Sequence, residues 1–160
     1  MRRKDREVTD PKIIDDIINS CDVIRLAMTD GDQIYIVPLN YGYQRVGEDM
    51  FFYLHSAHEG RKIDMLRKNP RVCFEMDTDH EHVKNEIACK NTFHYKSIIG
   101  YGEVEFIENM GEKGNALDCI MNSLIKDRNG EVKYDYNEEA VKRVCVFKLK
   151  VTDISGKVSQ

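Results

Sequence analysis

The chain has 160 residues, 41% of them hydrophobic and 32% charged, and a net charge of −4 at pH 7. That length suits one domain over 1–160, with an N-terminal helix and arm over 1–21 and a β-rich body over 22–155, and leaves too little chain for two cores. The negative balance disfavours general polyanion binding, no apolar run reaches the roughly 18 residues of a membrane span, and the charged opening lacks the apolar stretch of a secretory signal.

The elements follow in order. Asp10 is placed to cap a helix that Pro11 begins, with Ile13, Ile14, Ile17 and Ile18 on one apolar stripe. Val23 to Thr29 has the composition of a strand, closed by the turn Asp30-Gly31-Asp32, and Gln33 to Tyr43 is its expected partner. Pro38 cannot donate a ladder bond, so its position must be an edge, a bulge or a break facing a ligand. A turn near Gly47 to Asp49 leads to the strand Met50–His55 and a helix expected over Ala57–Lys68, stopped by Asn69-Pro70. Arg71–Thr78 alternates as a strand, and the acidic stretch Asp77–Glu86 has the composition of an exposed loop. Thr92–Glu108 is the longest strand, with a bulge or tight bend expected at Gly100 and Gly102. A helix over Glu112–Lys126, a polar loop over Asp127–Asn137 around Asn129-Gly130 and a strand over Val144–Val151 complete the chain. About six strands, mostly hairpin-connected, with three helices predict a mainly β, antiparallel small barrel.

Five cysteines, at 21, 73, 89, 119 and 145, are odd in number and contain no C-x-x-C pair. This predicts reduced thiols and a cytoplasmic setting, with Cys73 and Cys145 in the core. The cluster Asp77, Asp79, His80, Glu81 and His82 holds many potential ligands, but its spacing matches no structural zinc pattern, and no metal site is assigned. Neither G-x-G-x-x-G after a strand nor G-x-x-x-x-G-K-[ST] occurs, so a bound phosphate would depend on side chains.

The segment Tyr53–Pro70 supplies them. Ser56 with Glu59 three residues later fits a capping box, and Arg61 and Lys62 put two cations in the first turns. Helix N-termini already carry partial positive charge, so cations there are unusual unless an anion joins them. A hydroxyl, His55, two cations and free backbone N–H groups together suit a phosphate dianion.

Several segments, in order, carry a resemblance. They are Arg25-Leu26-Ala27-Met28, Val37-Pro38-Leu39-Asn40-Tyr41-Gly42-Tyr43, Phe52-Tyr53-Leu54-His55-Ser56-Ala57 and Gly60-Arg61-Lys62-Ile63-Asp64. Asn69-Pro70-Arg71-Val72-Cys73-Phe74-Glu75, Tyr95-Lys96-Ser97-Ile98-Ile99-Gly100-Tyr101-Gly102 and Ile154-Ser155-Gly156-Lys157 follow. In this spacing the chain resembles the nitroimidazole-resistance-type branch of the pyridoxamine 5'-phosphate oxidase-like family. The resemblance implies a six-stranded antiparallel split β-barrel, homodimeric, with FMN at the subunit interface.

It would place the FMN phosphate against Ser56, Arg61 and Lys62, with His55 nearby. Arg25, Leu26, Ala27 and Met28, with Val37, Pro38, Leu39 and Asn40, would flank the ribityl chain and ring, partly through backbone groups. Tyr95 and Ser97 would reach the cofactor from the partner subunit. The implied activity is reduction of a small electrophile such as a nitroimidazole by an FMN-dependent oxidoreductase, with His55 as the candidate catalytic group and an unidentified electron donor. Two alternatives stand beside it. One is a pyridoxamine 5'-phosphate oxidase, although the chain lacks that enzyme's C-terminal Arg-x-His. The other is a flavin or haem carrier or sensor without turnover.

Overall fold

The computed structural model describes residues 3–125 and 132–159. A single antiparallel sheet of eight strands dominates. Its strands are β1 (Glu7–Val8), β2 (Ile24–Asp30), β3 (Gln33–Leu39), β4 (Gly42–Val46), β5 (Asp49–Ser56), β6 (Arg71–Val83), β7 (Thr92–Ile107) and β8 (Cys145–Ser159). The order is β3-β2-β6-β7-β8-β5-β4, with β1 paired to β8, and the sheet stays open. Among the described residues four α-helices flank it: α1 (Pro11–Ser20), α2 (Arg61–Lys68), α3 (Met110–Leu124) and α4 (Glu138–Lys142). The mainly β, split-barrel architecture is as expected, with two strands more than the six counted from sequence.

One predicted strand becomes two. Gln33 to Tyr43 splits into β3 and β4, which lie at opposite edges of the sheet. Tyr41 anchors the crossing: its buried hydroxyl donates to the carbonyls of Ile18 (2.5 Å) and Cys21 (2.9 Å) at the end of α1. Pro38 sits on edge strand β3 opposite Arg25, where its missing donor costs least.

The inner face of the curved sheet packs around Phe52, Phe74 and Phe147, none of them solvent-exposed. The Phe52 ring meets those of Tyr41, Tyr43 and Phe74 at centroid distances of 5.2–5.4 Å. Ile14, Ile17 and Ile18 of α1 and Ile63, Met65 and Leu66 of α2 join this core. Asp15 ties α1 to β4, its carboxylate accepting two-pronged bonds from Arg45 (2.7–3.0 Å) and one from the Tyr43 hydroxyl. A smaller cluster of Ile107, Ala116 and Val146 fills the space under α3.

The acidic stretch after Thr78 is sheet rather than loop. β6 runs to Val83 and pairs with β7 on both sides of an irregularity between Thr78 and Glu81, where Asp79 has φ +56°. The expected irregularity in β7 is a register shift between Tyr101 and Gly102, and the strand continues through it. Cys145 is buried as anticipated, but Cys73 is only half-buried because it alternates outward between buried Val72 and Phe74. None of the five cysteines is in a disulfide. The turn Asn129-Gly130 lies outside the described residues. No helix among those described is long and apolar enough to cross a membrane.

Candidate functional site

The start of α2 differs from the capping box expected at Ser56. β5 pairs with β8 as far as Ser56 opposite Cys145, so Ser56 is extended backbone, and its hydroxyl donates to the Ala57 carbonyl (2.8 Å). Gly60 is the cap instead, at φ +123°, a region that disfavours other residues, and no side chain caps the helix. Glycine supplies no hydroxyl or carboxylate. The first-turn N–H groups of Arg61 and Lys62 therefore lie ahead of the first helical bonds, those of Ile63 (2.9 Å) and Asp64 (3.2 Å) to the Gly60 carbonyl.

The two cations act on different strands. Arg61 lies 4.7 Å over the Tyr35 ring and donates to Gln33 Oε1 (2.9 Å), both on edge strand β3. Lys62, half-buried, acts electrostatically on His55 at the end of β5 and forms no ion pair among the described residues. The helix start thus bridges β3 and β5, two strands remote in sheet order. Gln33 and Tyr35 escaped the sequence reading; alternation along β3 from the Asp30-Gly31-Asp32 turn is the signal that pairs them on the strand.

His55 and Ser56 are adjacent on a strand and so face opposite sides of it. His55 shares its outward row with Val146 and Ile107. Although exposed at its edge, its ring is desolvated on one side, and that burial, reinforced by Lys62, lowers its pKa below the ordinary value. The free imidazole is therefore neutral at pH 7, with one nitrogen able to donate and the other to accept. A phosphate dianion nearby reverses that preference. Titration by NMR is expected to place His55 below about 6.5 in the free protein and higher after FMN or inorganic phosphate is added. A pKa that does not move with either ligand would remove His55 from the site.

Arg25 is not a free cation. Its guanidinium donates to Glu75 (2.9 Å) and to Asp77, and Asp77 also pairs with His80 (2.7 Å). The Asp–His run considered as a metal cluster is thus partly engaged in ion pairs, which include Asp79 with Lys96 (2.7 Å). Leu26 and Met28 are fully buried in the core, and Ala27 faces the outer side. Ladder pairs on both sides of Arg25–Ala27 occupy that strand's backbone. Val37, Pro38 and Leu39 lie on β3, an edge strand whose second side has no strand partner among the described residues. Asn40, just beyond, donates to the Asp22 carbonyl (3.1 Å).

Tyr95 and Ser97 lie elsewhere. Register places Ile99, Glu75, Arg25 and Pro38 in one row; Tyr95 is four positions to one side and Tyr35 three to the other. Along the strands this separates Tyr95 from the Arg61 site by on the order of 20 Å. Lys157 sits 5.2 Å over the Tyr95 ring, and the bonds from Lys157, helped by Arg6, lower the phenol's pKa.

The family model for pyridoxamine 5'-phosphate oxidase matches residues 10–158. The chain belongs to that family. Within it the chain falls in the nitroimidazole-resistance-type branch, being similar to the structure of a candidate 5-nitroimidazole antibiotic resistance protein from Bacteroides thetaiotaomicron. The two are 35% identical, with a TM-score of 0.79 over 95% of this chain and 86% of that one. More distant members of the fold include the FAD- and haem-binding protein of Mycobacterium smegmatis (18% identity, TM-score 0.79, 97% and 74% covered). The flavocytochrome Anf3 of Azotobacter vinelandii is a second (17% identity, TM-score 0.79, 100% and 72% covered). At that identity they establish the shared architecture alone. No curated protein matches the chain.

Proposed function

We propose that this oxidase-family chain binds FMN with the phosphate on the N-terminus of α2 and reduces small electrophiles such as nitroaromatics. The observation that carries the reading is a helix start capped by glycine, with its first N–H groups ahead of the helical ladder, flanked by Arg61 and Lys62. An anion there meets fixed donors, the helix dipole and two cations at once. Lys62 supplies unpaired charge, Arg61 can turn from Gln33 toward the ligand, and the half-desolvated His55 can donate at its edge. When bound, FMN supplies the redox chemistry and the protein orients it and excludes water.

The β3 edge offers backbone groups to the ring, and the adjoining outer face supports the reading of a two-fold partner. Ile34 (72% exposed), Ile36 (59%), Ile99 (47%) and Tyr101 (53%) form an uncovered apolar patch across β3 and β7, with Ala27 and Cys73 between. A second copy covering it would bring the partner's end of β7, carrying Tyr95 and Ser97, toward a flavin that the same chain's residues are too distant to touch. Reduced thiols fit a cytoplasmic enzyme.

The test is extraction of the cofactor from purified protein with mass identification, followed by a nitroimidazole reduction assay. FMN release with turnover supports the reading, and loss of turnover but retention of FMN in His55→Ala would assign that imidazole to the reaction. A Soret band without flavin absorbance would favour the haem carrier, for which neutral His55 is the candidate ligand, and would overturn the reading.

A further inference from the structure

The four residues between β5 and α2 include one side chain that the functional reading leaves unused. His58 Nε2 stands 2.9 Å from the carbonyl oxygen of Lys142, 84 positions away in sequence. Lys142 is the last residue of α4, and the carbonyls of a helix's last turn have no partner within the helix. Helix C-termini also carry partial negative charge, so an imidazole N–H is a fitting donor there.

The location of this bond gives it a consequence. β5 and β8 separate after the pair Ser56–Cys145. His58 is two residues beyond that pair on the β5 side, and Lys142 three residues before it on the β8 side. The Ser56 hydroxyl bonds to neighbouring Ala57 and Glu59 makes no cap, so among the described residues His58 provides the one side-chain hydrogen bond from 57–60 to another element. The loop it tethers ends at Gly60, whose φ of +123° lies in a region that flexible glycine leaves readily, with no steric wall to hold it: a Cβ there would meet nothing within 4 Å. The orientation of the Arg61 and Lys62 N–H groups depends on that residue.

We propose that His58 is a positioning residue for the anion site at the start of α2: by donating to Lys142 it restrains residues 57–60 and pre-orients the helix N-terminus. The proposal rests on the flavin-phosphate reading of that site but is separable from it. His58 acts on the loop rather than on the anion itself. It lowers the ordering cost of binding, since a loop held in its bound form need not be fixed by the ligand.

The experiment compares wild type, His58→Ala and His58→Gln, the glutamine amide retaining a donor. Hydrogen exchange at the amides of 57–63 is followed without ligand, and FMN is titrated by fluorescence. For His58→Ala we expect faster exchange at 57–63 but not in β7 or β8, and FMN affinity reduced about three- to tenfold, the range of one lost hydrogen bond. His58→Gln is expected to restore both within about twofold. Unchanged exchange at 57–63 in His58→Ala, or unchanged FMN affinity alongside faster exchange, overturns the positioning role, as does failure of His58→Gln to restore either. If the wild type binds no FMN, the flavin reading fails while the exchange data still decide whether His58 restrains the loop.

Discussion

Replacing Arg61 and Lys62 together by alanine is expected to raise the Kd for FMN by about 10²- to 10⁴-fold, with little change in the unfolding temperature. Hydrogen bonds to charged groups contribute about 1.5–3 kcal/mol each, and the double variant removes two. The backbone N–H groups remain, so binding should weaken rather than vanish. The fold should tolerate the change. Arg61 is exposed and Lys62 half-exposed, while the buried face of α2 is Ile63, Met65 and Leu66. Arg67→Ala is the control: it removes a cation from the same helix, but one that lies 5.1 Å over Phe106 rather than at the helix start. Its Kd should stay within about threefold of wild type. Fluorescence titration of the apoproteins decides the matter, and a double variant that binds FMN as wild type does would refute the site.

The second large effect is on stability. Gly100→Ala should destabilise the protein by about 3 kcal/mol, lowering Tm by roughly 6–12 °C. A Cβ at Gly100 would stand 2.3 Å from Phe74 Cζ and 2.7 Å from the Asp153 carbonyl oxygen. Neither can yield easily. Phe74 is fully buried against Phe52, and Asp153 is held in β8 opposite Tyr101. Gly114→Ala provides the contrast, because a Cβ at that position of α3 meets nothing within 4 Å. A helix interior favours alanine by about 0.5–1 kcal/mol, so this variant should be slightly more stable than wild type. Thermal unfolding of both measures the difference. Equal Tm values would mean that the β6–β7–β8 layer gives way far more readily than its packing suggests.

Local signals served well wherever a residue's own chemistry decided the outcome. Asp10 caps α1 by accepting from the Lys12 N–H (2.8 Å), and Pro11 begins it, as their types required. Arg61 and Lys62 do open a helix, as their surroundings suggested, even though the expected cap did not form. Ser56 failed as a cap because the pairing of β5 with β8 extends one residue further than the capping pattern assumes. A ladder bond to a strand 89 positions away is invisible in a local window. The acidic stretch after Asp77 failed for a similar reason: β7 supplies a partner long enough to carry β6 to Val83 despite its charge. Charged side chains tolerate a strand when the outer face is open to water.

Taken alone, the order of residues determined the mainly antiparallel β character, the first helix and the basic helix start, and narrowed Pro38 to an edge, a bulge or a break, because propensity, capping and charge act over a few neighbours. Only the tertiary structure decided that β3 and β4 lie at opposite edges, that Gly60 rather than Ser56 starts α2, and that Arg25 is occupied by Glu75 and Asp77. It also decided that Arg61 meets Gln33 and Tyr35 of β3 while Lys62 acts electrostatically on His55 of β5. Those features depend on which distant strands pair, and pairing is set by the burial of the whole inner face at once rather than by any segment's own preference.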